Sequence, residues 1–394
     1  MDCDVVVVGG GPSGSTAARE IASRGHRVIL LERERFPRDK ACGGGISLGC
    51  ADRLPFDISA VVEQRVCGVI LGDPRTGSRT IDWAEPFMYL TRRADFDALL
   101  VTHARDAGVT VREDAQATAV TSLPSGGYQV TVRGGDGAET RYTARVVVGA
   151  DGANGVVRRA VGLPPTQTGV ALEANLPCPD GVPDWLASRI AISPGLVAGG
   201  YGWLFPKGDH INIGVGGWEF AGPSLREALH AYVRAYGWDP AELVETTGHL
   251  LPFLDAHPRA QSGGIALAGD AAGFVDPLTG GGIENAVASA LALAPVVDRY
   301  LHGESADLTT YERALHRGLY PRLRRARLLA EIAYGLPHPL MRRLTSSQRV
   351  VEALVNAIES GPPDESSGGT ALHALIDVIG PCTRAVNRVR FGPH

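Results

Sequence analysis

Lysine is nearly absent from this chain. Of its 38 basic residues only Lys40 and Lys207 are lysines, and the arginines are spread along the whole sequence. The formal net charge is −5 at pH 7. Proteins that bind nucleic acid concentrate positive charge on one face or in one segment. The composition therefore predicts no nucleic-acid partner.

The sequence also lacks the spacings of metal centres. Its six cysteines form no CxxC pair, and its 11 histidines form no HxxH or HxxxH pair. Zinc ligands and reactive dithiols typically occur at these spacings. We therefore expect reduced thiols and no bound metal.

Long hydrophobic runs are missing as well. The longest uncharged apolar stretch, residues 286–297, is shorter than the roughly 20 residues that a membrane-spanning helix needs. The first residues include Asp2 and Asp4 and lack the basic flank of a signal peptide. We therefore expect a cytoplasmic protein.

What the sequence does contain begins with a strand, a glycine-rich loop and a helix. The apolar run Val5–Val8 is followed by GGGPSGS, a helical pattern over 15–24, a second apolar run over 26–31, and Glu32. A carboxylate that follows the second strand of such a unit accepts hydrogen bonds from an adenosine ribose. The pattern predicts a dinucleotide-binding domain.

The glycines of this loop have separate expected roles. Gly9 permits the tight turn, Gly11 lets the backbone approach a pyrophosphate, and Gly14 lets the helix pack closely on the strand. A glycine-rich turn alone is weak evidence. The surrounding strand, helix and acidic residue favour the dinucleotide-binding interpretation.

Two later segments repeat the pattern. Residues 146–150 lead into DGANG at 151–155, and residues 265–269 lead into Asp270 and a glycine-rich loop before a helical pattern over 284–300. The carboxyl ends of parallel strands meet at one edge of a sheet. We therefore expect all three junctions to line one crevice.

These patterns predict an α/β fold with three regions. The first is a discontinuous Rossmann-like nucleotide-binding domain with a β-meander, formed by 1–65, 91–160 and 263–300. The second is a mixed-sheet substrate domain, formed by 66–90 and 161–262. Residues 301–394 form a C-terminal helical region.

Two short segments are candidates for the chemistry. Cys42 stands before three glycines in a loop whose backbone can approach a ligand, although it could equally be a filler thiol. Tyr201, Trp203 and Phe205 alternate with smaller residues, so their rings share one face of a strand. That face is either part of the core or the wall of an apolar ligand site.

The C-terminal third is basic and helical. Arginines occur at 322, 324, 325, 327, 342 and 343 among leucines and isoleucines. Such a pattern is usually a solvated helix face, and the alternative is peripheral contact with an anionic membrane. Residues 361–369 are typical of a polar linker before a short helix over 370–378.

Six local sequences together resemble a known family. GGGPSG with Glu32, GADGANG at 149–155 and GDAAGFVDP at 269–277 are similar to the FAD-binding fold of the p-hydroxybenzoate hydroxylase type. KACGGGIS at 40–47 and YGWLFPKGDHINIGVGG at 201–217, with DPLTGGGIENA at 276–286, resemble the geranylgeranyl reductase family of flavoproteins. The resemblance covers about residues 1–300.

The resemblance implies FAD as the cofactor and assigns residues to it. Glu32 would bind the adenosine ribose, Arg93 would lie near the pyrophosphate, and the amides of 280–283 would face the flavin. The implied cofactor-binding residues are Gly9, Gly11, Pro12, Ser13, Gly14, Glu32, Arg33, Ala41, Cys42, Gly43, Arg93, Ala117, Asp270, Pro277, Gly280, Gly281, Gly282 and Ile283. The implied catalytic residues are Cys42, Tyr201 and Trp203.

The implied reaction is hydride transfer from reduced flavin to a C=C bond of a hydrophobic, isoprenoid or polyketide-like substrate. A monooxygenase, an epoxidase or a halogenase on the same fold is the alternative. The chain departs from the family at Gly281, where Glu is common, so an acid near the flavin is missing. Because no second GxGxxG occurs, NAD(P)H would dock transiently or a reductase partner would supply electrons.

Overall fold

The computed structural model describes residues 1–75, 77–164, 166–218 and 224–335. The predicted segments at 361–369 and 370–378, and Arg342 and Arg343, lie outside this part. The strands, numbered in chain order, are β1 (Val5–Val8), β2 (Val28–Leu31), β3 (Gly45–Ser47), β4 (Val62–Val66), β5 (Gly68–Asp73), β6 (Gly77–Asp82), β7 (Met88–Thr91), β8 (Thr110–Arg112), β9 (Ala115–Ser122), β10 (Tyr128–Gly134), β11 (Glu139–Ala144), β12 (Val146–Gly149), β13 (Gln167–Pro177), β14 (Arg189–Pro194), β15 (Gly200–Pro206), β16 (His210–Gly217), β17 (Val244–Phe253), β18 (Gln261–Ser262) and β19 (Ile265–Leu267).

The two helices predicted over 15–24 and 284–300 are found at Pro12–Ala22 and Ile283–Leu301. The first predicted helix starts three residues earlier than expected, because Pro12 fits the first helical position, where its missing N–H is not needed. The helices are α1 (Pro12–Ala22), α2 (Leu48–Arg53), α3 (Arg93–Asp106), α4 (Val156–Ala160), α5 (Leu225–Ala235), α6 (Ile283–Leu301), α7 (Thr309–Arg317) and α8 (Leu319–Gly335).

A six-stranded sheet carries the nucleotide-binding motifs. Its strand order is β18-β19-β12-β1-β2-β8, and β1 pairs in parallel with both β12 and β2. All four valines of β1 are buried in a core that also contains Ala17 of α1 and Val130 of β10, so a helix and the three-stranded sheet β11-β10-β9 both pack on this sheet. The carboxyl ends of β1, β12 and β19 therefore lie side by side, as the sequence predicts.

A second, seven-stranded sheet has the order β17-β13-β16-β15-β14-β5-β6. It is mixed, since β14 and β5 pair in parallel and its other neighbours are antiparallel. One face packs on α5 through Leu204, Leu229 and Tyr232. The opposite face is thereby free to form the wall of a cavity.

The strands between Gly68 and Thr91 do not all belong to one sheet. Strands β5 and β6 join the seven-stranded sheet, whereas β7 pairs with β3 and β4 in a small separate sheet. Helices α7 and α8 pack into the core of the nucleotide-binding sheet through Tyr311 and Tyr320. Where the domains begin and end stays a prediction.

Within the described part of the chain, no helix combines the length and the apolar character needed to cross a membrane.

The close contact between α1 and the turn after β1 predicts an effect on stability. A methyl group at Gly14 would lie 1.8 Å from the carbonyl oxygen of Gly9, a backbone atom that cannot move aside. We expect Gly14→Ala to lower the free energy of unfolding of the apoprotein by about 1–3 kcal/mol or more. Denaturant titration would measure this change.

Gly11→Ala is the matched control, since no protein atom lies within 4 Å of the added methyl. Its free energy of unfolding should change by no more than about 0.5 kcal/mol. Equal stability of the two variants would contradict the packing role of Gly14.

Candidate active site

One large cavity of about 1120 Å³ lies between the two sheets. This volume exceeds the range of about 300–1000 Å³ typical of a single small-molecule site. Every residue that the sequence assigned to the cofactor or to catalysis lines it, apart from Gly14. Gly14 instead lies beneath the loop, against Gly9.

The first wall is the edge of the nucleotide-binding sheet. Gly9, Gly11, Pro12 and Ser13 follow β1, the 151–155 loop follows β12, and Asp270 follows β19. Ligands of open α/β sheets bind at this edge. The three predicted junctions therefore do form one crevice.

Glu32 lies at the end of β2 and faces the glycine-rich loop. Its Oε2 accepts hydrogen bonds from the Gly10 amide at 2.8 Å and from Arg38 Nη2 at 3.1 Å. The neighbouring Arg33 and Ala117 also line the cavity. The carboxylate is thus held at the edge of the cavity, and its contact with a ribose stays a prediction.

Arg93 is buried and belongs to a chain of alternating charges. It forms a bidentate pair with Asp97, with both N···O distances 2.8 Å. Asp97 also accepts from Arg38 at 3.1 Å, and Arg38 in turn pairs with Glu32. A buried charge is tolerated when it is paired in this way. The partner of Arg93 found here is Asp97, and its contact with a pyrophosphate stays a prediction.

Asp270 is held in its charged form. Burial alone would raise its pKa, but Lys40, 3.8 Å away, and His249, 3.5 Å away, bring the pKa of Asp270 down to about 2. An ionised carboxylate here can accept hydrogen bonds but cannot donate a proton near neutral pH.

The loop before α6 is shaped by Asp276. Its Oδ1 accepts hydrogen bonds from the amides of Leu278 and Thr279. The turn carries Pro277 and the 280–283 segment along the cavity, with Gly282 as the N-cap of α6. Gly281 is exposed there and brings no carboxylate.

The loop at 40–45, which includes Ala41, lies against the aromatic strand. Gly43 touches the ring of Phe205, and a methyl group on Gly43 would come within 2.6 Å of it. The Nζ of Lys207 donates to the carbonyl oxygens of Gly43, at 2.8 Å, and of Thr91. Burial lowers the pKa of Lys207 to about 8.

The rings of β15 form the facing wall. Tyr201, Trp203 and Phe205 all line the cavity, so they lie on the face opposite α5. The indole of Trp203 covers Gly214, where a methyl group would lie 2.1 Å from the ring. Their predicted contact with a substrate is untested.

Glu173 was missed by the sequence reasoning. It lies on β13, lines the cavity, and accepts a hydrogen bond from the Cys42 amide at 2.6 Å. Burial raises its pKa to about 7. One signal was available: Glu173 is the single charged residue in QTGVALEANLP, an otherwise uncharged strand.

Asn212 was missed for a different reason. Its Oδ1 accepts from Trp203 Nε1 at 2.9 Å, which directs its Nδ2 to Asn175 at 3.1 Å. These contacts depend on the register between β13, β15 and β16. No pattern within one strand reveals that register.

The arrangement fits a bound dinucleotide. A methyl group added at Gly11 would have no protein atom within 4 Å, so the space beside this residue is open. Among the described residues, Asp151 Oδ1 is buried without a hydrogen-bond partner, and Asp151 lines the same cavity. A buried acceptor of this kind usually has a partner, which a bound cofactor can supply.

Known proteins identify the cofactor. Residues 4–62 match the family model described as FAD dependent oxidoreductase, and residues 58–178 match the model described as FAD binding domain. The menaquinone reductase of Mycobacterium tuberculosis (strain ATCC 25618 / H37Rv) is 30% identical and covers 95% of this chain and 97% of its own. The geranylgeranyl diphosphate reductase of Rhodobacter capsulatus is 32% identical and covers 78% of each chain.

This chain belongs to the geranylgeranyl reductase family of FAD-dependent oxidoreductases. The predictions of family, of an enzyme and of FAD as cofactor are therefore confirmed.

Solved structures share the fold of this family member. The geranylgeranyl bacteriochlorophyll reductase-like protein of Thermoplasma acidophilum superposes with a TM-score of 0.78 at 23% identity, covering 91% of this chain and 96% of that one. The flavin-dependent brominase Bmp2 superposes with a TM-score of 0.70 at 19% identity, covering 96% and 99%. The predicted α/β fold is confirmed.

The open space at Gly11 predicts a selective effect on FAD. A methyl group there would point into the cavity, so Gly11→Ala should weaken FAD binding about tenfold or more, equivalent to about 1.4 kcal/mol. Fluorescence titration of the apoprotein with FAD would measure the dissociation constant.

Gly318→Ala is the control, because Gly318 does not line the cavity and its nearest contact for an added methyl is 3.6 Å away. If Gly11→Ala and Gly318→Ala bind FAD equally well, the assignment of Gly11 to the pyrophosphate is wrong.

Proposed function

We propose that this enzyme reduces C=C bonds of a hydrophobic isoprenoid substrate. The observation that carries the proposal is the extension of the cavity beyond the nucleotide-binding edge along the face of the seven-stranded sheet. Val69, Leu71, Ile190, Ile192 and Phe205 line this extension. A long apolar chain would find complementary surface along it.

Further apolar residues line the cavity. They include Ala326, Leu328 and Leu329 of α8, together with Leu251 and Phe253 of β17, which is the far edge strand of the same seven-stranded sheet. An isolated alkene offers no polar group for recognition, so its position must be set by packing along its hydrocarbon chain. These apolar residues supply that packing and exclude water from the reacting end.

The reacting end lies between the Cys42 loop and Trp203. Reduced FAD, when bound, supplies a hydride. The Trp203 ring is held over Gly214, and Cys42 is held by the hydrogen bond that its backbone amide donates to Glu173. These residues orient the double bond and close the end of the cavity.

The named activities of relatives support this proposal. The Mycobacterium tuberculosis relative is a menaquinone reductase, and the Rhodobacter capsulatus relative is a geranylgeranyl diphosphate reductase. Both names refer to reduction of compounds that carry polyprenyl chains. Other substrates with such chains, lipids included, fit the same apolar walls.

The source of electrons is part of the proposal. NAD(P)H would dock transiently, or a partner protein would reduce the flavin. The exposed Arg324 and Arg325 of α8 would favour peripheral contact with an anionic membrane, from which a lipid substrate could enter.

Mass spectrometry of the product tests the reaction. With dithionite-reduced enzyme and geranylgeranyl diphosphate under anaerobic conditions, we expect a product heavier by two hydrogens. A hydroxylase or epoxidase would instead need oxygen and add one oxygen atom, and a halogenase would add a halogen. Strict dependence on oxygen would exclude the reductase.

The position of Cys42 predicts a kinetic effect. Cys42→Ala should leave FAD content unchanged and lower kcat/KM roughly tenfold, since a poorly closed reacting end costs about 1.4 kcal/mol of transition-state stabilisation. Steady-state kinetics and the flavin absorbance of the purified protein check the two parts.

The matched control is Cys67→Ala, because Cys67 is a free cysteine that does not line the cavity. Unchanged turnover of Cys42→Ala with FAD bound would remove Cys42 from the reaction.

A further inference from the structure

Glu173 is an acid in an otherwise apolar wall. Among the described residues that line the cavity, it is the only carboxylic acid on the seven-stranded sheet. Its strand register places it opposite Gly214, which is itself opposite Trp203. Because Gly214 has no side chain, the Trp203 ring extends over it toward Glu173. The carboxyl therefore lies at the reacting end of the cavity.

Hydrogen bonds fix the orientation of this carboxyl. Its Oε1 accepts from the Cys42 amide at 2.6 Å, and Asn212 is among the groups that favour its ionised form. The indole of Trp203 can only donate, so Asn212 presents its oxygen to Trp203 and its NH₂ group to Asn175. Glu173 is thus held by the Cys42 loop, beside the Trp203–Asn212 pair.

Alkene reduction needs a proton as well as a hydride, and this requirement rests on the function proposed above. We propose that Glu173 donates the proton to the carbon next to the one that receives the hydride. The C=C bond gains one hydride and one proton, the reduced flavin is oxidised by two electrons, and Glu173 is left as a carboxylate. Water at the open side of the cavity restores its proton.

Burial determines the protonation of Glu173, against the influence of the charged groups around it. Lys207, which follows β15, and Arg93 of α3 favour its ionised form, as does the Cys42 amide, but the loss of water around the carboxyl outweighs them and raises the pKa of Glu173 to about 7. His249, on the neighbouring strand, is paired with Asp270. A substantial fraction of Glu173 therefore keeps its proton at neutral pH.

Three other titratable groups near this end are less suited to the same task. Both hydrogen bonds of the Lys207 ammonium go to backbone carbonyls, and its side chain is buried. Asp270 is ionised, with a pKa of about 2. Burial would raise the pKa of Glu284, but its ion pairs with Arg322 and Arg53 lower it, and Arg322 has the larger effect. Glu173 alone among these acids combines a raised pKa with a place beside Trp203.

Three variants test the proposal in the FAD-loaded enzyme. Glu173→Gln keeps an oxygen that accepts from the Cys42 amide but cannot donate a proton as an acid. Glu173→Asp keeps the acid on a shorter side chain. Glu242→Gln, at an exposed position outside the cavity, is the control for removing one carboxylate.

The first measurement is the anaerobic single-turnover rate of the reduced enzyme with geranylgeranyl diphosphate as a function of pH. In the wild type the rate should fall as pH rises through about 7, because Glu173 loses its proton. Glu173→Gln should be slower by about 10²-fold or more and lose this pH dependence, and Glu173→Asp should retain it. A merely structural role would lower the rate without removing the pH dependence.

The second measurement needs no turnover. The folded protein binds the Glu173 proton more tightly than the unfolded chain does. The wild type therefore loses stability as the pH rises. The Glu173→Gln variant carries a neutral amide at this position and does not lose that stability. The Tm of Glu173→Gln relative to wild type should rise between about pH 4.5 and about pH 7 and level off above that range. Infrared spectra near pH 6 should lose one protonated carboxyl band in Glu173→Gln and none in Glu242→Gln.

An unchanged pH profile in Glu173→Gln, or the absence of the carboxyl band in the wild type, would overturn the role of Glu173 while leaving alkene reduction intact. If wild-type enzyme reduces no polyprenyl compound, the proposed function fails. The infrared and Tm measurements still report the protonation of Glu173 in that case.

Discussion

The active site depends on one buried cation, the ammonium group of Lys207. Its hydrogen bonds to the carbonyl oxygens of Gly43 and Thr91 join the end of β15 to the Cys42 loop and to the start of α3. An uncompensated ammonium would be expensive to bury. The two carbonyl oxygens compensate for the loss of water around the Lys207 ammonium. The chain's only other lysine, Lys40, pairs with Asp270. Both lysines therefore act at the boundary between the cofactor end and the substrate end.

The contact between the Cys42 loop and the end of β15 requires glycine at two positions. Gly43 must approach the Phe205 ring, and Gly44 adopts a φ of +69° with the Thr91 carbonyl 2.0 Å from where a Cβ would be. Larger residues would push the loop away from Lys207 and break its hydrogen bonds. The CGGG sequence is thus explained by the contacts of its backbone with the aromatic strand as much as by approach to a ligand.

The sequence predicted the nucleotide-binding half well because its signals are local. The Val5–Val8 run, the glycines after it and Glu32 belong to one strand–loop–helix unit, and the parallel sheet brings the ends of such units together. The alternation of Tyr201, Trp203 and Phe205 likewise predicted a shared face. It left open which face is covered by a helix, because that depends on where α5 packs.

The contributions of Glu173 and Asn212 were not predictable from the same patterns. Each lies on a strand that looks ordinary by itself and acquires its role from a distant residue: Glu173 meets Cys42, 131 positions away, and Asn212 meets Asn175, 37 positions away. The Arg93 pairing shows a milder form of this limit. The resemblance places Arg93 near a pyrophosphate, and the anion that it contacts in the structure is Asp97, one turn further along the same helix.

Three acids of the cavity, Glu32, Asp270 and Glu173, differ in whether a cation contacts the carboxylate. Glu32 and Asp270 each contact a cation, with Arg38 and Lys40 as the partners, and both lie at the ends of strands in the nucleotide-binding sheet. Glu173 faces cations at longer range and is surrounded by Trp203 and apolar walls, so burial dominates its titration. The same cavity can therefore hold fixed negative charge where a cofactor's hydroxyl groups need acceptors and a transferable proton where an alkene needs one. That division does not require an acid at Gly281, since the seven-stranded sheet supplies one from the opposite wall.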